Sequence, residues 1–356
     1  MNAVRTKGLA LLTCGVVLCL AQVQAHADGT EALGDPSIAI ASGTHIIGAG
    51  TGTFAGPGVI NLNIPAGVTI QQVLLYWEGF ADSAVTGDNE ITVDGNNVLG
   101  QLIGGPTFFF SPAWAFTYRA DITGLGVVSP GANAINIGGF NFATANNGAG
   151  ILVIYDDGTP PAQIGLRDGS DLAFVNFAPP LNATVPQTFN FVPANFDRQA
   201  DVVMFVGSVD VNVSSIIRIT SGGIVTDIVD LLGNTDGPQW DTISSTVPIP
   251  ANTSSITFEI ISGPGPVPFP ASLDWLTASF AILPAPINGT IIIKALTIPP
   301  GGTGFTFSDD IRAPNGFVLD DTQMEMFLEV PPGDYSVDED DPTINPGGWS
   351  LIDLVC

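Results

Sequence analysis

Basic side chains are the scarcest feature of this 356-residue chain. Two of its eight Lys and Arg residues, Arg5 and Lys7, sit at the extreme N-terminus, which leaves six against 34 Asp and Glu. A phosphate backbone is bound through clustered Lys and Arg, so nucleic acid is excluded as a partner. The acidity itself suits solubility outside the cell or, as the sharper alternative, cation binding. Cysteine is nearly absent: Cys14 and Cys19 lie in the N-terminal apolar run and Cys356 is the last residue. No disulfide framework can be built, and an odd cysteine in an exported chain means an intermolecular link, a free thiol or a missing partner. Histidine is limited to His26 and His45, and no Gly-x-Ser-x-Gly elbow occurs, so hydrolase chemistry has little to work with. Charged residues make up only 12% of the chain, yet 45% is hydrophobic, which excludes disorder and requires a folded core.

The N-terminus reads as a secretory leader over residues 1–27. Arg5 and Lys7 form its basic region, Gly8 to Ala21 its apolar region, and small residues suit cleavage after Ala25 or Ala27. No later run is long and apolar enough to cross a bilayer as a helix, so no membrane span is expected in the mature chain. The chain carries 42 Gly and 28 Pro, which disfavours long helices. Period-2 alternation marks strands at Ile60–Ile64, Ala134–Ile137, Ser255–Ile260 and Phe305–Phe307. The runs Val73–Trp77, Ile151–Tyr155 and Val202–Val206 are apolar on both faces and read as central strands of packed sheets. Turn clusters divide them at Asp94–Asn97, Asp156–Gly158 and Gly233–Gly237, and only Gly223–Leu232 leans towards helix. The predicted fold class is all-β: a sandwich region over 28–283, then a small β-sandwich over 288–356.

Pro284-Ala-Pro286 forms a stiff hinge between these two parts, and a softer break is expected near Pro193-Ala194-Asn195. The entries Ile64-Pro-Ala-Gly67, Val192-Pro-Ala-Asn195 and Ile249-Pro-Ala-Asn252 each precede a strand, so related sandwich halves compete with chance as their origin.

Four C-terminal segments carry the most specific signal. They are Gly289-Thr-Ile-Ile-Ile-Lys294, Gly304-Phe-Thr-Phe307, Phe327 to Glu339 with Gly333-Asp-Tyr335, and Gly347-Gly-Trp349-Ser-Leu351. In this order they resemble the prealbumin-like domains of bacterial surface proteins, the collagen-adhesin B-type and pilin repeat modules. The resemblance implies an intramolecular isopeptide bond, with Lys294 as nucleophile, Glu339 as proton shuttle and Asp353 as the acyl partner. Lys294 is the only lysine after the leader and lies in an apolar run. Burial would favour its neutral, nucleophilic amine. The plainer reading is a Lys294–Glu339 ion pair, or a lysine whose head reaches solvent. In similar domains the final strand pairs through a cysteine with a following strand, so the ending at Cys356 suggests an unfinished domain. More loosely, Val73–Gly79, Tyr118–Thr123, Gly148–Tyr155 and Leu273–Trp275 resemble the jelly-roll-like modules of bacterial adhesin-like proteins.

Acidic residues gather at turns, and Asp156, Asp157, Asp168 and Asp171 are the candidate metal ligands. None has EF-hand or calcium β-roll spacing, and Asp also favours turns through its own backbone bonds. No cofactor is called for, with calcium the one admitted ligand. Arg119 is expected to pair with Asp121, and Arg167 with Asp168 or Asp171. Phe108–Phe110 and Trp114 could stack on sugars if exposed, but suit a β core. The expected role is a secreted, non-catalytic structural or adhesive protein that meets a cell-surface or matrix component. A calcium-dependent or carbohydrate-binding module is the rival, and a carbohydrate-active enzyme comes third.

Overall fold

Strands buried on both faces need sheets on both sides, and that requirement sets the architecture. The computed structural model describes residues 25–350 except 86, 211–214, 230–231, 234, 264–271, 286–288, 313–314, 332 and 345–347. Most of the expected leader and the tail 351–356 therefore lie outside the described residues. The described chain forms two compact units, one ending at Leu283 and one starting at Pro284, which matches the proline hinge.

The first unit begins with β1 (Ala25–His26), β2 (His45–Gly52), β3 (Gly58–Ile64), β4 (Thr69–Ala81), β5 (Glu90–Val93), β6 (Asn96–Leu99), β7 (Gln101–Phe110), β8 (Ala113–Asp121), β9 (Gly131–Gly138) and β10 (Ala145–Asp156). An inner sheet has the order β1-β7-β8-β4-β10-β2 and an outer sheet β3-β9-β5-β6. The chain continues with β11 (Gln163–Phe174), β12 (Gln187–Asn190), β13 (Arg198–Gly207), β14 (Ser215–Ser221), β15 (Ile224–Val229), β16 (Trp240–Ile249), β17 (Ser255–Ser262) and β18 (Ser272–Ile282). Here the inner sheet is β11-β18-β13-β16 and the outer β12-β17-β14-β15. Matching β2 to β11, β3 to β12, β4 to β13, β5 to β14, β6 to β15, β8 to β16, β9 to β17 and β10 to β18 superimposes both orders, with β1 and β7 added at the edge of the first inner sheet. The chain thus holds two sandwiches of one topology.

The two inner sheets pack face to face. Leu74, Tyr76, Leu152 and Ile154 from the first meet Val203, Phe205, Trp240 and Leu276 from the second. On the opposite faces, Val73, Leu75 and Trp77 fill the first sandwich, while Val202, Met204 and Val206 fill the second. This four-layer stack is why the β4, β10 and β13 runs are apolar throughout, whereas β3 and β17 alternate. Tyr76 and Phe205 hold matching places and touch across the seam with ring centroids 5.6 Å apart. Gly50 lets Trp240 lie on the β2 backbone: a Cβ there would come within 2.2 Å of the indole nitrogen.

Two expectations are corrected. The changeover between sandwiches falls at 157–162, and Pro193–Asn195 instead links β12 to β13 within the second sandwich. The stretch from Gly223 contains strand β15 rather than a helix: Gly222 and Gly223, both at positive φ, make the hairpin turn, and paired β-branched residues extend it. Of the three Pro-Ala entries, the first two precede the matching strands β4 and β13. The third precedes β17, whose counterpart β9 follows Ser129-Pro-Gly131.

The second unit contains β19 (Gly289–Lys294), β20 (Phe305–Asp309), β21 (Phe317–Leu319), β22 (Met324–Val330) and β23 (Val337–Glu339). β19 pairs with β22, and β21-β20-β23 form a second small sheet. Phe305, Leu319, Phe327 and Val330 are buried.

Phe205 is fully buried between Tyr76 and Trp240. Phe205→Ala is expected to cost about 3–5 kcal/mol in denaturant unfolding. Val225→Ala, on the exposed edge strand β15, should stay within about 0.5 kcal/mol.

Candidate functional site

The seam between the inner sheets is apolar at one end and ionisable at the other. Period 2 carries β4 from Leu74 and Tyr76 to Glu78, so a carboxylate enters the seam beside the aromatics. Glu78 is fully buried, and Nδ2 of Asn147 donates to both its oxygens at 3.0 and 2.8 Å. A register shift between Asn146 and Gly148 in β10 turns Asn147 inward to do so. Across the seam Glu78 lies against Gly207, its positional match in β13, where a Cβ would stand 2.3 Å from Oε2.

Gly207 pairs with Asp274 of β18, which is also fully buried. Ser170 Oγ donates to both Asp274 oxygens at 2.9 Å, and Thr117 of the opposing sheet donates at 3.4 Å. Further along, Arg119 forms a buried ion pair with Asp168 across the seam, and Tyr76 donates its hydroxyl to the same carboxylate at 3.3 Å. On the other face of β11, towards the second sandwich's core, Asp171 accepts the Val185 backbone N–H at 2.8 Å, while its other oxygen has no partner among the described residues.

Burial dominates the acidity of this cluster. It lifts Asp274 to about 7 against the donors Ser170 and Thr117, and Asp171 to about 8. Glu78 is raised well above the carboxylate range by burial and by the nearby Asp274 charge, with Asn147 opposing. Asp168 is raised by burial, with Arg119 opposing. Two like charges in a dry seam disfavour each other, which adds to burial in raising Glu78. Such perturbed acids often mark catalysis. Here the side chains of Glu78 and Asp274 are enclosed by both inner sheets, and what the arrangement does chemically is join them.

A second polar contact crosses the seam at its other edge. His45 Nδ1 lies 2.7 Å from Asp201 of β13, Nε2 lies 3.4 Å from Asp157, and the ring stacks on Tyr155 at 5.4 Å. Both ring nitrogens therefore face carboxylates, and neither meets the serine that a hydrolytic triad needs.

The residues expected to act from sequence are scattered. Asp156 Oδ1 accepts the Gly158 N–H, and Asp157 Oδ1 caps Thr159 and is held low, at about 2, mainly by that side-chain bond. Asp168 belongs to the seam, whereas Asp171 lies opposite Trp275 on the other face of β11, towards the core of the second sandwich, so the four do not form one cluster. Among the described residues no group of three or more His, Cys, Asp or Glu is arranged to hold a metal ion. Arg119 takes Asp168 rather than Asp121, which caps Thr123 instead, and Arg167 takes Asp35 rather than Asp168 or Asp171. Phe109 and Trp114 are buried, while Phe110 is 39% exposed.

Lys294 is exposed, which corrects the expectation of a buried lysine: Ile291 and Ile293 lean inward, so Ile292 and Lys294 share the outward face of β19. Lys294 lies opposite Met324, and no ion pair with Glu339 is present among the described residues. Glu339 is half-buried on β23 in the other sheet, where burial raises its carboxyl. Asp353 and Cys356 lie outside the described residues. Sequence reasoning missed Glu78, Asn147 and Asp274 as a group, although Glu78 was visible as the lone charge ending an apolar run.

The raised acids give stability a pH dependence of defined sign. From about pH 4 up to their folded values, about 8 for Asp171 and about 7 for Asp274, these two acids keep protons that the unfolded chain has released, so stability falls as pH rises. Above pH 5 the turn carboxylates held low are ionised in both states and drop out. The thermal midpoint should fall by roughly 5–10 °C from pH 5 to 8.5, and Asp171→Asn should flatten the slope in calorimetry. A midpoint that rises over that range would mean these acids are ionised in the fold. Gly207→Ala should destabilise at every pH, by about 1–3 kcal/mol, because the new methyl displaces the Glu78 carboxyl.

No family model and no curated protein matches the chain. Among solved structures, an insecticidal crystal protein, Cry2Aa, is 10% identical with a TM-score of 0.19, and the match covers 67% of this chain and 51% of that one, about half its length. The ANXUR1 extracellular domain from Arabidopsis thaliana is 11% identical with a TM-score of 0.20, covering 73% of this chain and 97% of that one. Both likenesses fall below the level at which a shared fold can be argued.

Proposed function

We propose that this protein is an exported, non-catalytic β-module whose duplicated sandwiches act as one rigid body at a cell surface or in a matrix. The observation that carries this reading is the seam: the most strongly perturbed acids, Glu78 and Asp274, are fully buried where the two inner sheets join. A catalytic carboxylate must touch substrate, whereas these touch Asn147, Ser170 and Thr117. Several turn carboxylates are likewise engaged with backbone N–H groups, as Asp309 is with Ile311, Arg312 and Gly316. That engagement favours the scaffold over the calcium-dependent binding module. Export rests on the leader pattern of Arg5, Lys7 and the apolar stretch that follows. Within this reading the second unit is a spacer of prealbumin-like kind, and the exposed Lys294 serves as an ordinary surface cation.

Two measurements test the proposal. The thermal midpoint should be the same, within about 1 °C, in millimolar calcium and in chelator; a calcium-dependent rise of several degrees would favour the binding module, since a ligand of the folded state stabilises by mass action. The intact mass of the secreted mature chain should equal that of its sequence. A deficit of about 17 or 18 Da, the ammonia or water released on amide formation, mapped to Lys294, would instead establish the crosslink. A doubled mass lost on reduction would make Cys356 an intermolecular link.

A further inference from the structure

The two sandwiches share a topology but not a filling. In the first, β8 ends at Asp121 and the chain turns through a short 3-10 helix, Thr123–Leu125. Ile122 N–H bonds to the Val73 carbonyl, and Ile122 and Val128 are both buried in the core. In the second, β16 runs on to Ile249 without such a detour. Opposite Val202, the match of Val73, stands Ser245, an exposed residue in the place that Ile122 fills. The space is not recovered by larger neighbours. A cavity of about 230 Å³ remains between β13 and β16 on one side and β14 and β15 on the other. Val202, Met204, Ile217, Ile243 and Val247 line it, with Ser245 at its edge.

Of the four hydroxyl residues that line it, Ser221, Thr226, Ser245 and Thr246, only Ser221 is buried. Period 2 on β14 turns Ser221 to the same side as Ile217, and Ser221 is only 7% exposed. Its hydroxyl has no hydrogen-bond partner among the described residues. A buried hydroxyl left unpaired is costly, and native structures rarely keep one without a use. A dry apolar cavity of about 150 Å³ already admits benzene, so this one is large enough for a somewhat bigger molecule.

We propose that the second sandwich binds a small uncharged aliphatic molecule with one terminal hydroxyl or carbonyl, its chain among Val202, Met204 and Ile243 and its polar end on Ser221. The walls offer no cation to a carboxylate, and the chain's formal charge of −26 repels anions. Hydrophobic contact supplies the affinity, and the buried, unpaired Ser221 hydroxyl fixes which end enters first.

The test is titration of the mature chain with 1-hexanol and 1-octanol by calorimetry and ligand-detected saturation-transfer NMR, with hexanoate as the charged control. Saturable sub-millimolar binding of the alcohols is expected. Ser221→Ala should weaken it about tenfold while leaving the unliganded thermal midpoint unchanged or higher, because an unpaired hydroxyl has been removed. Ser245→Ile, which installs the residue found at the matching place of the first sandwich, and Val202→Phe, which fills the cavity directly, should each abolish binding. An unchanged near-UV circular dichroism spectrum in these variants ties the loss to the cavity. Absence of saturable alcohol binding to the wild type would overturn the proposal. So would full binding by both filled variants, undiminished binding by Ser221→Ala, or hexanoate binding as tightly as hexanol.

Discussion

A carboxyl group taken out of water must find donors, a counter-charge or a proton, and the seam of this protein supplies all three. Glu78 takes donors from Asn147, Asp168 takes the charge of Arg119, and Asp274, pushed up to about 7, keeps its proton at mildly acid pH. Each solution constrains the backbone around it. Asn147 reaches Glu78 from beside a register shift, and Gly207 cannot carry a side chain without displacing the carboxyl. The seam is therefore specific in register as well as apolar, since sliding one inner sheet past the other would strand several buried acids at once.

Duplication explains where these demands arise. Two sandwiches of one strand order bury their inner sheets against each other, and matching positions meet at the contact. At one such pair the residues are alike, Tyr76 and Phe205. At the next they are unlike, Glu78 and Gly207, because two carboxyls could not share the same space. The outer sheets have diverged further. In the first sandwich Ile122 and Val128 are buried in the core, while the second keeps an apolar cavity and an unpaired Ser221 hydroxyl. A closed core favours stability, and an open one leaves room for a ligand.

The shortage of basic residues shapes the rest of the surface. Arg119, Arg167, Arg218 and Arg312 each pair with a carboxylate, and Arg198 donates to the Leu283 and Val192 carbonyls. Lys294 stands apart, exposed on a two-stranded ribbon. Six basic residues after the leader cannot pair with 34 acids, and turn amides take up several of the described ones.

The sequence alone determined what depends on local period and turn chemistry. Alternation identified β3, β9, β17 and β20, runs apolar on both faces identified β4, β10 and β13 as central strands, and the prolines after Leu283 marked the boundary between units. It could not decide which residue meets which across sheets, because those partners are chosen by packing between segments far apart in the chain. Arg119 and Asp121 share a strand face, yet Arg119 turns into the seam to meet Asp168, 49 residues away. Lys294 follows three isoleucines, and only the exposure of alternate β19 residues in the folded unit shows that it points outward with Ile292. The duplication left a faint trace in Pro-Ala entries, but sandwich order became visible only through strand pairing. The buried acids and the cavity belong wholly to tertiary structure: desolvation and empty volume are properties of the surroundings, and no residue carries them by itself.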